Sequence, residues 1–146
     1  MIWREAIRDD VPAIVALLAA DSLGQSREIA DPSAYLAAFD AMAAEGANLQ
    51  IVAEDGGRVI ACYQITFISG LSLQGTRRAL VEGVRVAPEL RGQGVGAQMF
   101  ADAEARARAA GCRIMQLTTN AARTDAHRFY DRLGFTASHV GFKKTL

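Results

Sequence analysis

The stretch Arg91-Gly92-Gln93-Gly94-Val95-Gly96 constrains the fold more than any other part of this chain. It follows an apolar, strand-like run from Leu80 to Val86 and precedes a helical pattern that begins at Val95. The glycines allow a tight turn and leave no side chains in front of the backbone amides. Amides at the start of a helix lack intrahelical acceptors, and the helix dipole adds positive potential, so this turn suits an anion. Arg91 adds a cation, and the arrangement predicts a diphosphate ligand.

The glycine-rich turn by itself leaves three interpretations open. Gly92, Gly94 and Ala97 also fit the dinucleotide pattern G-x-G-x-x-[GA], which requires an acidic residue about 20 positions later for the ribose. That neighbourhood contains residues 112–114, Cys-Arg-Ile, and the Gly-Lys-Ser/Thr of nucleotide hydrolases is absent from the chain. The third interpretation is a turn that serves packing alone.

A second motif distinguishes between these interpretations. Asn120 ends the run 114–119 and is followed, within 125–135, by the pattern Phe129-Tyr130-x-x-x-Gly134-Phe135. Together with Val84-Arg-Val86-Ala-Pro-Glu-Leu-Arg91-Gly-x-Gly-x-Gly96, this pattern resembles the GNAT (Gcn5-related) N-acetyltransferase superfamily. In that family Arg-x-x-Gly-x-Gly is the acyl-CoA pyrophosphate motif, and this chain matches it at positions 91, 94 and 96.

The resemblance implies one GNAT domain over residues 1–146 with a mixed α/β (α+β) fold. Its central sheet is expected to hold six to seven mostly antiparallel strands, with the fourth and fifth parallel and splayed. About four helices are expected on the two faces of the sheet.

The residue pattern predicts the same element order. Asp55-Gly56-Gly57 is typical of a hairpin turn, and Gly111 suits a helix end. Asp9 or Asp10 is expected to cap the first helix, and the glycine-containing segment 23–30 is expected to be an irregular, mobile loop. Strands are predicted at 2–7, 49–53, 59–68, 79–86 and 114–119, and two short strands at the end of the chain. The first helix is expected to begin after its Asp cap, the second to open at Asp31-Pro32, the third to run from Val95 to about Ala110, and the fourth to span 125–133. The third helix is expected to carry on one face Val95, Met99, Ala103 and Ala107, with the i,i+4 pairs Asp102–Arg106 and Glu104–Arg108 outside that face.

The resemblance places the acyl-CoA ligand along the fourth strand and the glycine-rich turn. The backbones of Val84 and Val86 are expected to bond the pantetheine arm, as a neighbouring strand would. The pyrophosphate is expected to bind Arg91 and the residues Gly92, Gln93, Gly94, Val95 and Gly96. Asn120 either bonds the cofactor arm or holds the adjacent turn.

Two residues are predicted to act in catalysis. Tyr130 is expected to hydrogen-bond or protonate the departing coenzyme A thiolate, the alternative being that it only packs with Phe129. Glu82, in an otherwise apolar strand, is expected to act as the base for the amine, the alternative being an ion pair with Arg78 or Arg85.

The acceptor is expected to be a primary amine of a small molecule, with Arg27, Glu28 and His139 as further contacts. The residues 117–130 and 138–146 are similar to the aminoalkylphosphonate N-acetyltransferases, whose substrates carry an anionic group. Two other functions stay open: acetylation of a protein or peptide amine, with a toxin acting on protein or tRNA as one form, and non-catalytic binding of acyl-CoA. His127 is expected to pair with Asp131 on the surface.

Composition excludes several classes of protein. The 146 residues are 51% hydrophobic without an apolar run near 18, which argues against a membrane span. Sixteen basic and sixteen acidic residues balance, so no electrostatic field favours nucleic acid. Cys62 and Cys112 lie apart in apolar strands and indicate a reducing, cytoplasmic location without a disulfide. No spacing suits a metal site, and a homodimer is left open.

Overall fold

The computed structural model describes residues 1–21 and 23–146 and divides the chain into two compact units, Met1–Gln116 and Leu117–Leu146. Its sheet has five strands in the order β1-β2-β3-β4-β5, with antiparallel neighbours up to β4 and a parallel β4–β5 pair. The strands are β1 (Ile2–Glu5), β2 (Asn48–Asp55), β3 (Arg58–Ile68), β4 (Arg78–Val86) and β5 (Ile114–Leu117).

Four longer helices correspond to those predicted from the sequence. They are α1 (Val11–Ala19), α3 (Ser33–Glu45), α5 (Val95–Ala109) and α6 (Thr124–Arg132). Two short segments are additional: α2 (Gly24–Arg27) is one helical turn, and α4 (Ser72–Gly75) is a turn in which Leu73 and Gln74 have left-handed backbone angles. The predicted mixed fold with helices on both faces is confirmed.

The predicted strand number of six to seven is wrong, because residues 133–146 contain no strand. In this segment the apolar side chains of Val140 and Phe142 are 80% and 92% exposed. Alternation of apolar and polar residues specifies a strand only where one face is buried against a partner. The apolar side chains at the end of the chain therefore have no buried face that would stabilise the two predicted strands.

The β2–β3 hairpin closes as the sequence predicts. Asp55 pairs with Arg58, so Gly56 and Gly57 form a two-residue turn, with φ angles of 57° and 80°. Two consecutive positive φ angles are the requirement of a type I′ turn, which glycine meets without strain.

Helix α1 covers one face of the sheet. Its Ile14 and Leu17 pack against Val52 and Cys62 of β2 and β3. The predicted Asp cap of this helix is not formed: the Asp10 carboxylate instead accepts hydrogen bonds from Arg4 and from the Ile7 amide. The Arg4 guanidinium accordingly lowers the pKa of Asp10.

Helix α5 covers the other face through the predicted stripe of Val95, Met99, Ala103 and Ala107, all of which are buried. It ends before Gly111, whose φ of 78° confirms the expected glycine at the helix end.

The predicted pair of Asp102 and Arg106 on α5 is formed, and it belongs to a half-buried network that includes a third residue. The Asp102 carboxylate accepts a hydrogen bond from Arg106 Nε at 2.8 Å and another from the hydroxyl of the fully buried Tyr63. Burial acts to lower the pKa of Arg106, but the Asp102 carboxylate outweighs it, so that pKa is raised. The pair therefore provides the hydrogen-bond partner that the hydroxyl of the buried tyrosine needs. The spacing of residues along one helix could not reveal this contact.

Candidate active site

The phosphate loop, Arg91 to Gly96, joins β4 to α5 as predicted. Gly92 and Gly94 have φ angles of 74° and 84°, and Gly94 is the N-cap of α5. The last backbone hydrogen bond before the loop is donated by the Arg91 amide to the Pro88 carbonyl. The first one after it is donated by the Gln98 amide to the Gly94 carbonyl. Between these, the amides of Gly92 to Ala97 have no protein acceptor among the described residues. Six adjacent backbone donors are thus available to an anion.

The side chains beside the loop leave its positive character intact. Arg91 is exposed and forms no hydrogen bond or ion pair within the described residues. The nearby carboxylate of Glu89 is paired with Arg58, so its charge is compensated. Gln93 is held by a bond from its Nε2 to the Glu89 carbonyl, at 2.9 Å.

The carboxyl half of β4 extends past the last residue of β5. β4 has nine residues and β5 four, and β5 begins opposite the start of β4, where the Arg113 amide donates to Arg77 at 3.0 Å. A β-bulge at Gly83, with φ of 58°, interrupts the pairing with β3. A bulge bends its strand, and here it precedes Val84 and Val86. Their edge extends past the end of β5, as an added strand-like ligand requires.

Glu82 lies immediately before this bulge and is exposed. It is opposite Gln64 of β3 and forms no ion pair within the described residues. The alternative that Glu82 pairs with Arg78 or Arg85 is wrong: Arg78 bonds Gln116 at 3.2 Å, and Arg85 pairs with Asp21 at 3.1 Å. The role of Glu82 as a base stays a prediction.

The segment 23–30 is more regular than the sequence suggests, because four of its residues form α2. Gly24 is buried, and a side chain there would collide with the Leu18 carbonyl. The Arg27 Nε bonds Leu23 at 3.2 Å. The Tyr35 hydroxyl accepts from the Ile29 amide at 2.9 Å and donates to Glu28 at 3.4 Å.

These contacts hold the segment to itself and to α3, so the expectation of an irregular loop is wrong. The mobility and the substrate contacts of Arg27 and Glu28 stay predictions.

Tyr130 lies on α6 in the second unit and is half-buried. Its ring lies 5.3 Å from that of Phe129 and 6.0 Å from that of Phe135, centroid to centroid. The motif Phe-Tyr-x-x-x-Gly-Phe therefore forms an aromatic cluster that fixes the position of the tyrosine on its helix. Its catalytic role stays a prediction.

The remaining predicted residues of the second unit make local contacts. The Asn120 Oδ1 accepts from the Ala122 amide at 3.0 Å, which is the turn-holding alternative, while its cofactor contact stays a prediction. His127 bonds the Asn120 carbonyl at 3.3 Å instead of forming the expected pair with Asp131. His139 is exposed and bonds Ser138 at 2.6 Å, and its substrate contact stays a prediction.

Sequence reasoning missed a polar group on the sheet, which we call the carboxamide strip. Its members are half-buried, and their polar side chains lie on the α1 side of β2 and β3. They are Asn48, Gln50, Gln64 and Thr66. Asn48 accepts from Gln64 and Thr66, at 2.8 and 3.2 Å. Because these residues are 16 and 18 positions from Asn48, only the strand register brings them together.

The cysteines take no part in this chemistry. Both are buried, and neither forms a disulfide. Burial raises the pKa of the Cys62 thiol to about 12, so it stays neutral and unreactive.

The chain belongs to the acetyltransferase (GNAT) family, which matches residues 14–135. It is also 47% identical over 66 residues to an aminoalkylphosphonate N-acetyltransferase from Salmonella typhimurium (strain LT2). That match spans 45% of this chain and 43% of the relative. Both resemblances inferred from the sequence motifs are therefore confirmed.

Two solved structures extend the similarity to the whole chain. A protein described as a transcriptional regulator from Bacillus halodurans C-125 is 42% identical, covers 99% of both chains and has a TM-score of 0.95. A putative acetyltransferase from Agrobacterium tumefaciens str. C58 is 25% identical, covers 100% of both chains and has a TM-score of 0.85.

Residues 1–21 and 23–146 contain neither a metal-binding cluster nor a membrane-spanning helix. No group of three or more His, Cys, Asp or Glu side chains there is arranged to hold a metal ion. None of the helices in the same residues is long and apolar enough to cross a membrane.

Proposed function

We propose that this chain transfers an acetyl group from acetyl-CoA to a primary amine of a small molecule. The observation that carries the proposal is the run of amides, Gly92 to Ala97, that has no protein acceptor. These donors, together with Arg91, suit the pyrophosphate of coenzyme A, and membership of the GNAT family supports that donor.

The acyl-CoA arm would extend from this loop along β4. The backbones of Val84 and Val86 would bond the amides of pantetheine, because β5 ends before this part of the edge. The Val84 carbonyl already accepts from Arg85 Nη1 at 2.8 Å, and its second lone pair remains for the ligand.

Bound acetyl-CoA supplies an activated acetyl thioester, and the acetyl group passes from its sulfur to the amine nitrogen. An alkyl ammonium has a pKa near 10.4, so only about one molecule in a thousand is neutral at pH 7. Glu82 would accept the proton that the attacking nitrogen loses, directly or through water. Its exposure, and its lack of an ion pair among residues 1–21 and 23–146, support this role.

Tyr130 would stabilise the coenzyme A sulfur as negative charge develops on it. A thiol has a reference pKa near 8.5 and a phenol one near 10, so full proton transfer is uphill by about 2 kcal/mol. A strong hydrogen bond from the hydroxyl to the sulfur therefore serves as well as protonation.

The choice of a small-molecule acceptor is supported by the relative that is named for aminoalkylphosphonates. A protein or peptide amine is the alternative acceptor, and acyl-CoA binding without chemistry is the alternative activity. A direct test follows thiol release from acetyl-CoA with a panel of small amines, a lysine peptide and no amine, while calorimetry measures acetyl-CoA binding. We expect thiol release with small amines; binding without release under any condition would favour the non-catalytic alternative.

A further inference from the structure

The carboxamide strip interrupts the apolar face of the sheet where it continues beyond α1. Val52 and Cys62 are register partners and are fully buried beneath α1. Two residues away on the same face, Gln50 and Gln64 are paired in their place. Glutamines at core-facing strand positions break the apolar pattern that stabilises a sheet. Such breaks are expected where function requires them.

Hydrogen bonds fix the orientation of these amides. The Glu45 carboxylate can only accept, so the Asn48 Nδ2, at 2.6 Å, must be the donor. The Asn48 Oδ1 then accepts from Gln64 Nε2 and Thr66 Oγ1. The Gln64 amide therefore keeps its Oε1 acceptor for a ligand, beside the second hydrogen of Nε2.

The neighbouring groups have the same polarity. Gln50 donates its Nε2 to the Tyr63 carbonyl at 3.0 Å, which leaves its Oε1 as an acceptor. Glu82 is directly opposite Gln64, and cross-strand partners are close enough for one ligand to touch both. This surface thus presents two amide oxygens and one carboxylate.

The four residues of the strip are uncharged, and the two arginines of β4 on either side of Glu82 in the sequence have partners. Arg78 bonds Gln116, and Arg85 is paired with the Asp21 carboxylate. Hydrogen-bond donors and positive charge complement the surface, whereas an anionic group would meet Glu82 without a compensating cation on the strip.

We propose that the carboxamide strip and Glu82 form the acceptor site and select a cationic amine that carries a second hydrogen-bond donor. A diamine or an amino alcohol is the class of substrate that fits, and an amine with an anionic group is disfavoured. This inference rests on the proposed function, since it takes Glu82 to lie at the reacting amine.

The test uses four two-carbon amines that differ only in their second substituent: ethylenediamine, ethanolamine, ethylamine and 2-aminoethylphosphonate. Ligand-observed NMR measures their binding to the full chain without acetyl-CoA. Thiol release with acetyl-CoA measures turnover separately. We expect ethylenediamine and ethanolamine to bind about tenfold more tightly than ethylamine, as one hydrogen bond to a charged or fixed partner provides. The phosphonate should bind most weakly.

Two substitutions locate the effect. Gln64→Met removes the outward Oε1 and should reduce the tenfold advantage of the two donor-bearing amines to about twofold. Gln50→Met gives a second, independent variant if the first unfolds. Gln98→Met is the control, because it removes an exposed glutamine of α5 that lies outside the strip, and it should leave the advantage unchanged.

Tighter binding of the phosphonate, equal binding of all four amines or no binding of any would overturn the inference. The same conclusion follows if both strip variants keep the full advantage. The predicted order of binding without thiol release would instead overturn the proposed function and leave the acceptor site standing.

Discussion

The phosphate loop and the carboxamide strip present different hydrogen-bonding groups to a ligand. The loop is six consecutive residues and offers backbone N–H donors at the start of a helix. The strip combines side chains from β2 and β3, continues to Glu82 of β4, and offers oxygen acceptors. The first suits an anion and the second a cation, so the polyanionic donor and the amine acceptor are distinguished by the sign of the surface they meet.

The loop and the strip should also differ in which substitutions they tolerate. The loop depends on backbone conformation, so substitutions at its glycines should be most damaging, and most other side chains there should be replaceable. The strip depends on side-chain atoms, so single substitutions should change its selectivity without disturbing the donor end. The following predictions test this separation, from the largest expected effect to the smallest.

Gly94→Val should weaken acetyl-CoA binding by about 100- to 1,000-fold, because a branched side chain in front of the amides removes two or more bonds to charged oxygens. Calorimetry measures the effect. Gly111→Val is the matched control: it also places a branched residue at positive φ, 78°, but at the other end of α5. Equal acetyl-CoA affinity of a folded Gly94→Val variant and the wild type would contradict the assignment of the loop.

Glu82→Gln should lower kcat/KM for the amine by about 100-fold at pH 7, as expected for loss of a general base. It should also abolish the loss of activity on the acidic side of the pH profile, with acetyl-CoA affinity unchanged. Glu104→Gln, which alters an exposed pair on α5, should have no effect. If the acidic side of the Glu82→Gln profile matches that of the wild type, the base is another group or bulk water.

Tyr130→Phe should lower kcat by about tenfold, because it removes one hydrogen bond that is needed when the thiolate forms. Acetyl-CoA binding should change little, since the ring and its contacts with Phe129 and Phe135 are kept. Phe129→Leu disturbs the same aromatic cluster without removing the hydroxyl and serves as the control. A Phe variant with wild-type kcat would assign Tyr130 to packing alone.

Arg27→Ala should have the smallest effect, about a threefold increase in KM for 2-aminoethylphosphonate and none for ethylamine. Arg27 lies outside the carboxamide strip, and its predicted role is to offset part of the repulsion between Glu82 and an anionic group. Rates of thiol release at varied amine concentration provide the measurement. Arg8→Ala, which breaks an exposed pair with Asp40, is the control. Equal KM changes for both amines would show that Arg27 does not distinguish an anionic substrate from a neutral-tailed one.

Local features of this protein could be predicted from its sequence, because their physical causes lie within a few residues. The Gly56-Gly57 turn, the buried stripe of α5 and its glycine end depend on φ angles and on helical spacing. The phosphate loop belongs to the same class, since its amides are exposed by the glycines that make the turn. For this loop the sequence motif also identified the family.

Tertiary structure decided the features that join distant residues. The Tyr63–Asp102 bond and the carboxamide strip depend on strand register. In the part of the chain that the structure describes, Glu82 has no ion pair, because Arg85 is paired with Asp21. The strand count after residue 133 was mispredicted for the same reason, because alternation specifies a strand only when a buried face is present. The sequence by itself determined that the glycine-rich turn offers its backbone amides, whereas only the packed sheet determined which polar side chains lie together in the proposed acceptor site.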